Sequence, residues 1–382
     1  MIYLDYSATT PVNDDVLDSY VKVSKEFIGN ANSIHTLGMK SKELLIKATK
    51  QISEILGVNP KEIIYTSGAS ESNTTAIKGV AFKYANRGKH IITSYLEHKS
   101  VLDVMDYLKT IGFEIDYVSL LPNGQIDLKD LERLIRKDTI LVSVCAVNSE
   151  AGFKAPLKTI RQIINKKNPN VIFHSDMTQA LGKMKVHLLD VDLASFSAHK
   201  IYAPKGIGIL YKKSSLEIEP LIYGLTENAP YRGGTPALPL IVAFSKAIRI
   251  MNDNLERNVK KVEKLNKILI DGLSKYEDIV INSNELSVPH IVNVSLMKVM
   301  SETFVRALEK EEIYISTNTA CSSLDESTVI KAISNDSKRS TSTIRISLSH
   351  LTSFDEINKF LESFDKVWKE LLLKWKIKHL NY

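Results

Sequence analysis

From about residue 60 to residue 211, short apolar runs alternate with amphipathic stretches. The runs Glu62–Thr66, His90–Thr93, Glu114–Val118, Thr139–Val144, Val171–His174, Asp192–Phe196 and Ile207–Tyr211 read as strands. Several carry Ile and Val on both faces, as strands do when helices cover the two sides of a sheet. Ser72–Asn86 and Pro156–Lys166 read as two of the intervening helices. This alternation predicts an open, mostly parallel α/β sheet.

After Tyr223 the pattern breaks at a loop holding Gly233-Gly234 and Pro230, Pro236 and Pro239. A long helical stretch follows, from about Leu240 to Tyr276. Fewer strands come after it (Ile279–Ile281, His290–Ser295 and Thr343–Ser347), mixed with helices. This second part reads as a smaller α+β unit. The chain has 382 residues, 44% of them hydrophobic, which exceeds the usual single-core limit and predicts two domains. We expect a large domain over residues 15–240. We expect the small one over 1–14 and 241–382, although the N-terminal segment could pack on either.

Composition excludes several classes. Charged residues make up 25%, as in ordinary globular proteins. The net charge of +6 is spread over Lys166-Lys167, Lys212-Lys213, Lys260-Lys261 and the tail Lys374, Lys376 and Lys378, so no nucleic-acid surface is expected. The two cysteines, Cys145 and Cys321, have no metal-ligand spacing and no disulfide framework. No signal peptide, membrane span or metal site is expected, which suggests a cytoplasmic protein with reduced thiols.

The segment Ser195-Phe196-Ser197-Ala198-His199-Lys200 places a lysine just past an apolar strand. A carbonyl cofactor needs an amine in such a fixed position to form a Schiff base, and the neighbouring hydroxyl and imidazole could bind a phosphate. Asp176 lies 24 residues earlier, at the end of another strand. There it could hold a pyridinium nitrogen protonated, or simply cap a helix. Ile63–Ser72 is strand, glycine turn, then helix, so the N–H groups of Ala69 and Ser70 would form an anion site. Its glycine and lysine spacings match neither a dinucleotide fingerprint nor a P-loop. His98 and Asn148 each follow a strand at its carboxyl end, where open α/β sheets bind ligands. Cys321 lies in a polar segment, Ser316–Ser323, where a thiol can ionise, whereas Cys145 sits in an apolar run and reads as inert. Arg345 could clamp a carboxylate or make a structural ion pair.

Taken together, these segments resemble the cysteine desulfurases, of the class V aminotransferase group. The resemblance covers nearly the whole chain: Leu4–Pro11, Asn32–His35, Thr66–Ser72, Glu97-His98-Lys99, Asn148–Gly152, His174-Ser175-Asp176, Gln179, Ser195–Lys200, Arg232–Thr235 and Ala320-Cys321. It implies the fold type I of pyridoxal-phosphate enzymes, with the small domain carrying the cysteine segment. It further implies that Lys200 carries pyridoxal 5′-phosphate, that His98 stacks on the ring and helps move protons, and that Asp176 pairs with the ring nitrogen. Gln179 would contact the ring hydroxyl. Ala69, Ser70, Ser197 and His199 would hold the phosphate, with Thr235 reaching that of a partner subunit in a homodimer. Asn148 would serve both cofactor and substrate, Arg345 the substrate, and Cys321 would take the sulfur.

The implied activity converts L-cysteine to L-alanine and a Cys321 persulfide, which passes to an acceptor such as an iron–sulfur scaffold or a tRNA-thiolation enzyme. A selenocysteine lyase of the same fold, or a non-catalytic sulfur-relay protein, are the alternatives. The chain departs from the family pattern at Ser70 (usually Thr), Gly233 (usually Ser), Gly224–Asn228, Asn318 and Ser349-His350. These departures bear on substrate preference and acceptor choice more than on the cofactor site.

Overall fold

A computed structural model describes residues 1–226, 229–317 and 326–380, with side chains described through residue 373. The chain opens with the short strand β1 (Ile2–Tyr3) and the helices α1 (Asp14–Glu26) and α2 (Thr36–Leu56). It then alternates: β2 (Ile63–Thr66), α3 (Ala69–Lys83), β3 (His90–Ser94), α4 (Lys99–Thr110), β4 (Glu114–Val118), α5 (Leu128–Leu134), β5 (Thr139–Ser143), α6 (Leu157–Lys167) and β6 (Ile172–Asp176). The strands β7 (Leu193–Ser197) and β8 (Gly208–Lys212) complete a seven-stranded sheet of order β2-β8-β7-β6-β5-β3-β4. Only β8 runs against the rest, pairing antiparallel with both β2 and β7. The sheet is therefore mostly parallel, as the alternation predicts.

The strands are apolar on both faces because both faces are covered. Ile63, Ile92, Val142, Phe173 and Ala194 point into one core, while Ile64, Ile91, Leu141, Ile172 and Leu193 point into the other. Adjacent residues thus serve opposite layers, the two-residue period of a strand. Only β4, at the sheet edge, is half-buried along most of its length.

The helical stretch predicted over Leu240–Tyr276 is two helices, α7 (Leu238–Asp253) and α8 (Leu255–Leu273). The break falls at Asn254, whose side-chain amide donates to the Ile250 carbonyl at 2.8 Å and closes the end of α7. The two helices then serve different cores. Phe244, Ile248 and Met251 pack with the large sheet, whereas Val262, Leu265 and Leu269 pack with the C-terminal elements. That second core covers the antiparallel strands β9 (Ile279–Ile281), β10 (Ile291–Leu296) and β12 (Thr343–Ser347). Before β12 come α9 (Ser301–Glu309), β11 (Ile313–Tyr314), α10 (Thr328–Ser334) and α11 (Ser337–Thr341). The helix α12 (Phe354–Leu380) closes the chain.

The N-terminal strip joins the two parts. β1 pairs in parallel with β11, and Leu4 is fully buried in the second core, yet Tyr6 packs in the first. Among the described residues, no helix is long and apolar enough to cross a membrane.

Candidate active site

Six sheet strands point their carboxyl ends the same way, and the segments leaving five of them, together with Ser7-Ala8, Glu326–Val329 and Arg345, line a cleft of about 770 Å³. Ala69, Ser70, His98, Asn148, Asp176, Gln179, Ser197, His199, Lys200 and Arg345 all line it. Thr235 does not; it is exposed on the loop before α7. Cys321 lies outside the described residues, as do Glu227, Asn228 and Asn318.

The anion end is built by close backbone packing. The residue capping α3, Gly68, offers no side chain, so the N–H groups of Ala69 and Ser70 have no partner within the helix and face outward with the positive end of its dipole. The helix starts three residues before the predicted Ser72, because Ala69-Ser70-Glu71 already winds while carrying no apolar face to betray it. Glu71 steadies this turn by accepting from the Ser67 N–H at 2.7 Å and from the Arg232 Nε at 2.9 Å. Gly208 of β8 stands opposite Thr66 and Ser197 in the sheet, against the backbone of Gly68. Ser197 and His199 lie beyond. His199 meets the Thr9 hydroxyl at 3.1 Å, and burial followed by the charges of Lys200 and Lys205 brings its pKa down to about 4.

Asp176 ends β6 with its carboxylate held in place. One oxygen accepts from the Thr178 N–H at 2.9 Å, the other from the Asn73 side-chain amide at 2.8 Å. It caps a turn, and each carboxylate oxygen keeps acceptor capacity for a further N–H. Lys200 follows β7 in a single helical turn, and its Nζ donates to the Ser7 and Ala8 carbonyls at 2.6 and 2.7 Å. The Gln179 Nε2 donates to the same Ser7 carbonyl at 3.0 Å.

His98 caps α4 through Nδ1, which accepts from the Ser100 N–H at 3.1 Å. Desolvation by the cleft walls lowers its pKa below 6.5, with Asp176 opposing and Lys200 assisting. The ring is therefore neutral at neutral pH. Asn148 is buried, with its amide oxygen accepting from the Glu150 and Ala151 N–H groups and its Nδ2 donating to the Leu96 carbonyl. Arg345 makes the structural ion pair. Its two terminal nitrogens reach Asp5 at 2.9 Å and the Ser149 carbonyl at 3.1 Å, while its Nε is buried without a partner among the described residues.

Other cleft atoms are likewise buried with no partner among the described residues: Ser7 Oγ, Glu97 Oε2, Glu150 Oε1 and Thr178 Oγ1. Such atoms are costly unless something polar meets them. The lining fits pyridoxal phosphate: an open helix N-terminus for an anion, a fixed carboxylate for a ring N–H, an amide for a ring hydroxyl and a lysine amine for a carbonyl carbon. Three residues escaped the sequence reading. Asn73 reaches Asp176 across 103 residues of chain, Lys183 donates to Gln179 at 2.8 Å, and Glu97 is buried beside Cys145. The spacing of Lys183, four residues after Gln179, was the one local signal on offer.

Comparison with known proteins agrees with this geometry. The sequence model of the aminotransferase class-V family matches residues 2–360. The cysteine desulfurase IscS of Buchnera aphidicola subsp. Acyrthosiphon pisum (strain 5A) is 40% identical over 366 residues, covering 93% of this chain and 90% of that one. The cysteine desulfurase IscS of Klebsiella pneumoniae is 40% identical over 375 residues, covering 96% and 92%. A solved NifS-like protein superposes with a TM-score of 0.92 at 36% identity, covering 97% of this chain and all of the other. The chain belongs to the class-V aminotransferase family and, within it, to the cysteine desulfurases.

Proposed function

We propose that this chain removes the sulfur of L-cysteine, with pyridoxal 5′-phosphate bound at Lys200, and leaves it as a persulfide on Cys321 while L-alanine is released. The observation that carries this reading is the convergence on one cleft of Lys200, Asp176, Gln179, His98 and the open N-terminus of α3. Ala69, Ser70, Ser197 and His199 hold the phosphate, Asp176 the ring nitrogen and Gln179 the ring hydroxyl. When bound, the cofactor supplies an electron sink for the bond to the substrate Cα proton.

The chain's own residues do the rest. Lys200 takes and returns the Cα proton, and neutral His98, whose Nδ1 accepts from the Ser100 N–H, assists through Nε2. Arg345 engages the substrate carboxylate through its unpartnered Nε, and Asn148 supports both substrate and cofactor. The Cys321 thiolate attacks the substrate sulfur, so that the carbon–sulfur bond breaks as the sulfur–sulfur bond forms. Cys145 is unsuited to that step: burial, then Glu97 and Asp176, push its thiol well above its ordinary pKa.

Thr235 is assigned to the phosphate of a partner subunit, which its exposure outside its own cleft supports, and the active unit is a homodimer. The division between a cofactor-binding unit and a unit carrying the cysteine segment, expected after residue 240, is better placed at Asn254, because α7 packs with the large sheet. The sulfur then passes to an acceptor protein, an iron–sulfur scaffold or a tRNA-thiolation enzyme, in the cytoplasm.

The test is to incubate the purified protein with L-cysteine, assay alanine, and map persulfide and borohydride-fixed cofactor by mass spectrometry. Stoichiometric alanine, sulfur on Cys321 and cofactor on Lys200 are expected. Cofactor fixed on another lysine, or alanine without persulfide, refutes the assignment.

A further inference from the structure

We propose that Lys183 is a positioning residue for the cofactor, fixing which end of the Gln179 amide turns toward the ring hydroxyl. This rests on the reading above, that pyridoxal phosphate occupies the cleft with its hydroxyl beside Gln179.

Lys183 is 7% exposed, follows Gly182 in the turn after β6, and makes no ion pair among the described residues. A buried amine with no carboxylate beside it is costly, and its volume alone would be filled better by an apolar side chain. Its Nζ donates to the Gln179 Oε1 at 2.8 Å. At its other end the same amide donates from Nε2 to the Ser7 carbonyl at 3.0 Å, which also accepts from Lys200 Nζ at 2.6 Å. Four groups thus form one chain, Lys183 to Gln179 to Ser7 to Lys200.

The two ends of a glutamine amide differ only in hydrogen-bonding sense. An ammonium has donors and no acceptor, so it holds Oε1 toward itself and leaves the second Nε2 proton for a ring oxygen. Rotated by a half turn, the amide would set its NH₂ against Lys183 and its oxygen against the Ser7 carbonyl. Ser7 alone is a poor guarantor of the orientation, because it shares its carbonyl with Lys200, whose amine has to move during turnover. Lys183 supplies a constraint that does not change as Lys200 moves. The charged groups acting on Lys183 are Lys200 and Arg345, with buried His290 also nearby. Burial and then these two cations bring its pKa down to about 7, so the constraint is strongest below pH 7, where the amine is charged.

The test compares wild type with K183M, K183R, Q179L, Q179E and the double variant K183M/Q179L, each prepared as apoprotein and reconstituted with pyridoxal phosphate. Two readouts are independent of turnover: the pH midpoint of the bound cofactor's absorbance change, and the rate of cofactor release into a trap. K183M is expected to move the midpoint by about half a pH unit or more and to speed release roughly 3- to 10-fold, the scale of one hydrogen bond. K183R should stay near wild type, and the double variant should go no further than Q179L. Q179E keeps a partner for Lys183 but removes the ring-facing donor, so it should move both readouts as K183M does. It carries the test if K183M does not fold. Wild-type midpoints and release in K183M or Q179E, or additive effects in the double variant, overturn the proposal. A wild-type protein that takes no cofactor onto Lys200 overturns the functional reading itself, which separates the two failures.

Discussion

A single methyl group at Gly208 probes the cofactor cradle from behind. A Cβ there would stand 2.6 Å from the Gly68 Cα, 2.6 Å from the Phe196 carbonyl oxygen and 2.7 Å from the Gly68 carbonyl carbon. All three are backbone atoms, so no side chain can rotate out of the way. Restoring an ordinary contact of 3.4 Å requires the Gly68 turn or strand β8 to move by about 0.8 Å. Strand β8 is held on both sides by β2 and β7, whereas the turn leads into a helix end open to the cleft, so the turn should give way to the Gly68 contacts, leaving the Phe196 contact as strain between β8 and β7. Overpacking of this kind costs about 1–3 kcal/mol. The displacement carries the Ala69 and Ser70 N–H groups away from Ser197 and His199. Losing alignment of one or two of those hydrogen bonds weakens the cofactor by about 1–2 kcal/mol, or roughly 5- to 30-fold in Kd. The assay is titration of apo Gly208→Ala with pyridoxal phosphate, followed by absorbance, alongside the thermal midpoint of the apoprotein. Lys200 should still form its covalent link, since its amine is held by the Ser7 and Ala8 carbonyls and not by the Gly68 turn. Wild-type affinity in a variant whose apo midpoint has fallen would show that the cradle does not depend on this packing, and the reasoning would be wrong.

Glu97→Gln tests the buried carboxyl beside Cys145. Burial, with Asp176 adding to it, raises the Glu97 pKa from 4.5 to about 8, so its neutral form stabilises the fold fully below pH 4.5 and that contribution is lost as the pH rises toward 8. The glutamine lacks this dependence, and the variant should gain on wild type by about 1–3 kcal/mol between pH 5 and pH 8, read from denaturant midpoints; a constant difference would refute it. The two thiols should also separate cleanly. In the folded protein Cys145, which donates to the Leu96 carbonyl at 3.3 Å, should resist iodoacetamide while Cys321 alkylates. Cys145→Ala should keep alanine production within about 2-fold of wild type, and Cys321→Ser should lose it by roughly 100-fold or more, since the nucleophile is gone. Wild-type alanine release from Cys321→Ser would remove that residue from the mechanism.

The large sheet was legible because its strands are covered on both faces, which forces Ile and Val into consecutive positions such as Ile91-Ile92 and Leu141-Val142. The division of α7 from α8 was not, because apolar periodicity runs unbroken across it and the break is made by the Asn254 side chain, with neither Gly nor Pro to signal it. The cleft lining was legible where chemistry and strand ends coincide, at Asp176, Lys200, His98 and the Gly68 turn. It was opaque where a residue acts across the fold: Asn73 touches Asp176 only because α3 packs beside β6, and nothing near Asn73 in the chain announces it. Arg345 illustrates the middle case. Its residue type suggested a carboxylate, and one carboxylate it holds is Asp5, 340 residues away.

The N-terminal strip has a consequence for how the chain is made. Asp5 and Ser7 bind Arg345 and Ser347, the Ser7 and Ala8 carbonyls hold Lys200, and Leu4 belongs to a core built from the last third of the molecule. This strip is thus made long before several of its partners. At about 5–20 residues per second, roughly 17–70 s of synthesis separate Asp5 from Arg345. Through that interval the strip can meet Gln179, Lys200 and the first core, but it lacks Arg345, Ser347 and its partners in the second core. Cofactor capture on a nascent chain should therefore wait for release, however early the large sheet itself has formed.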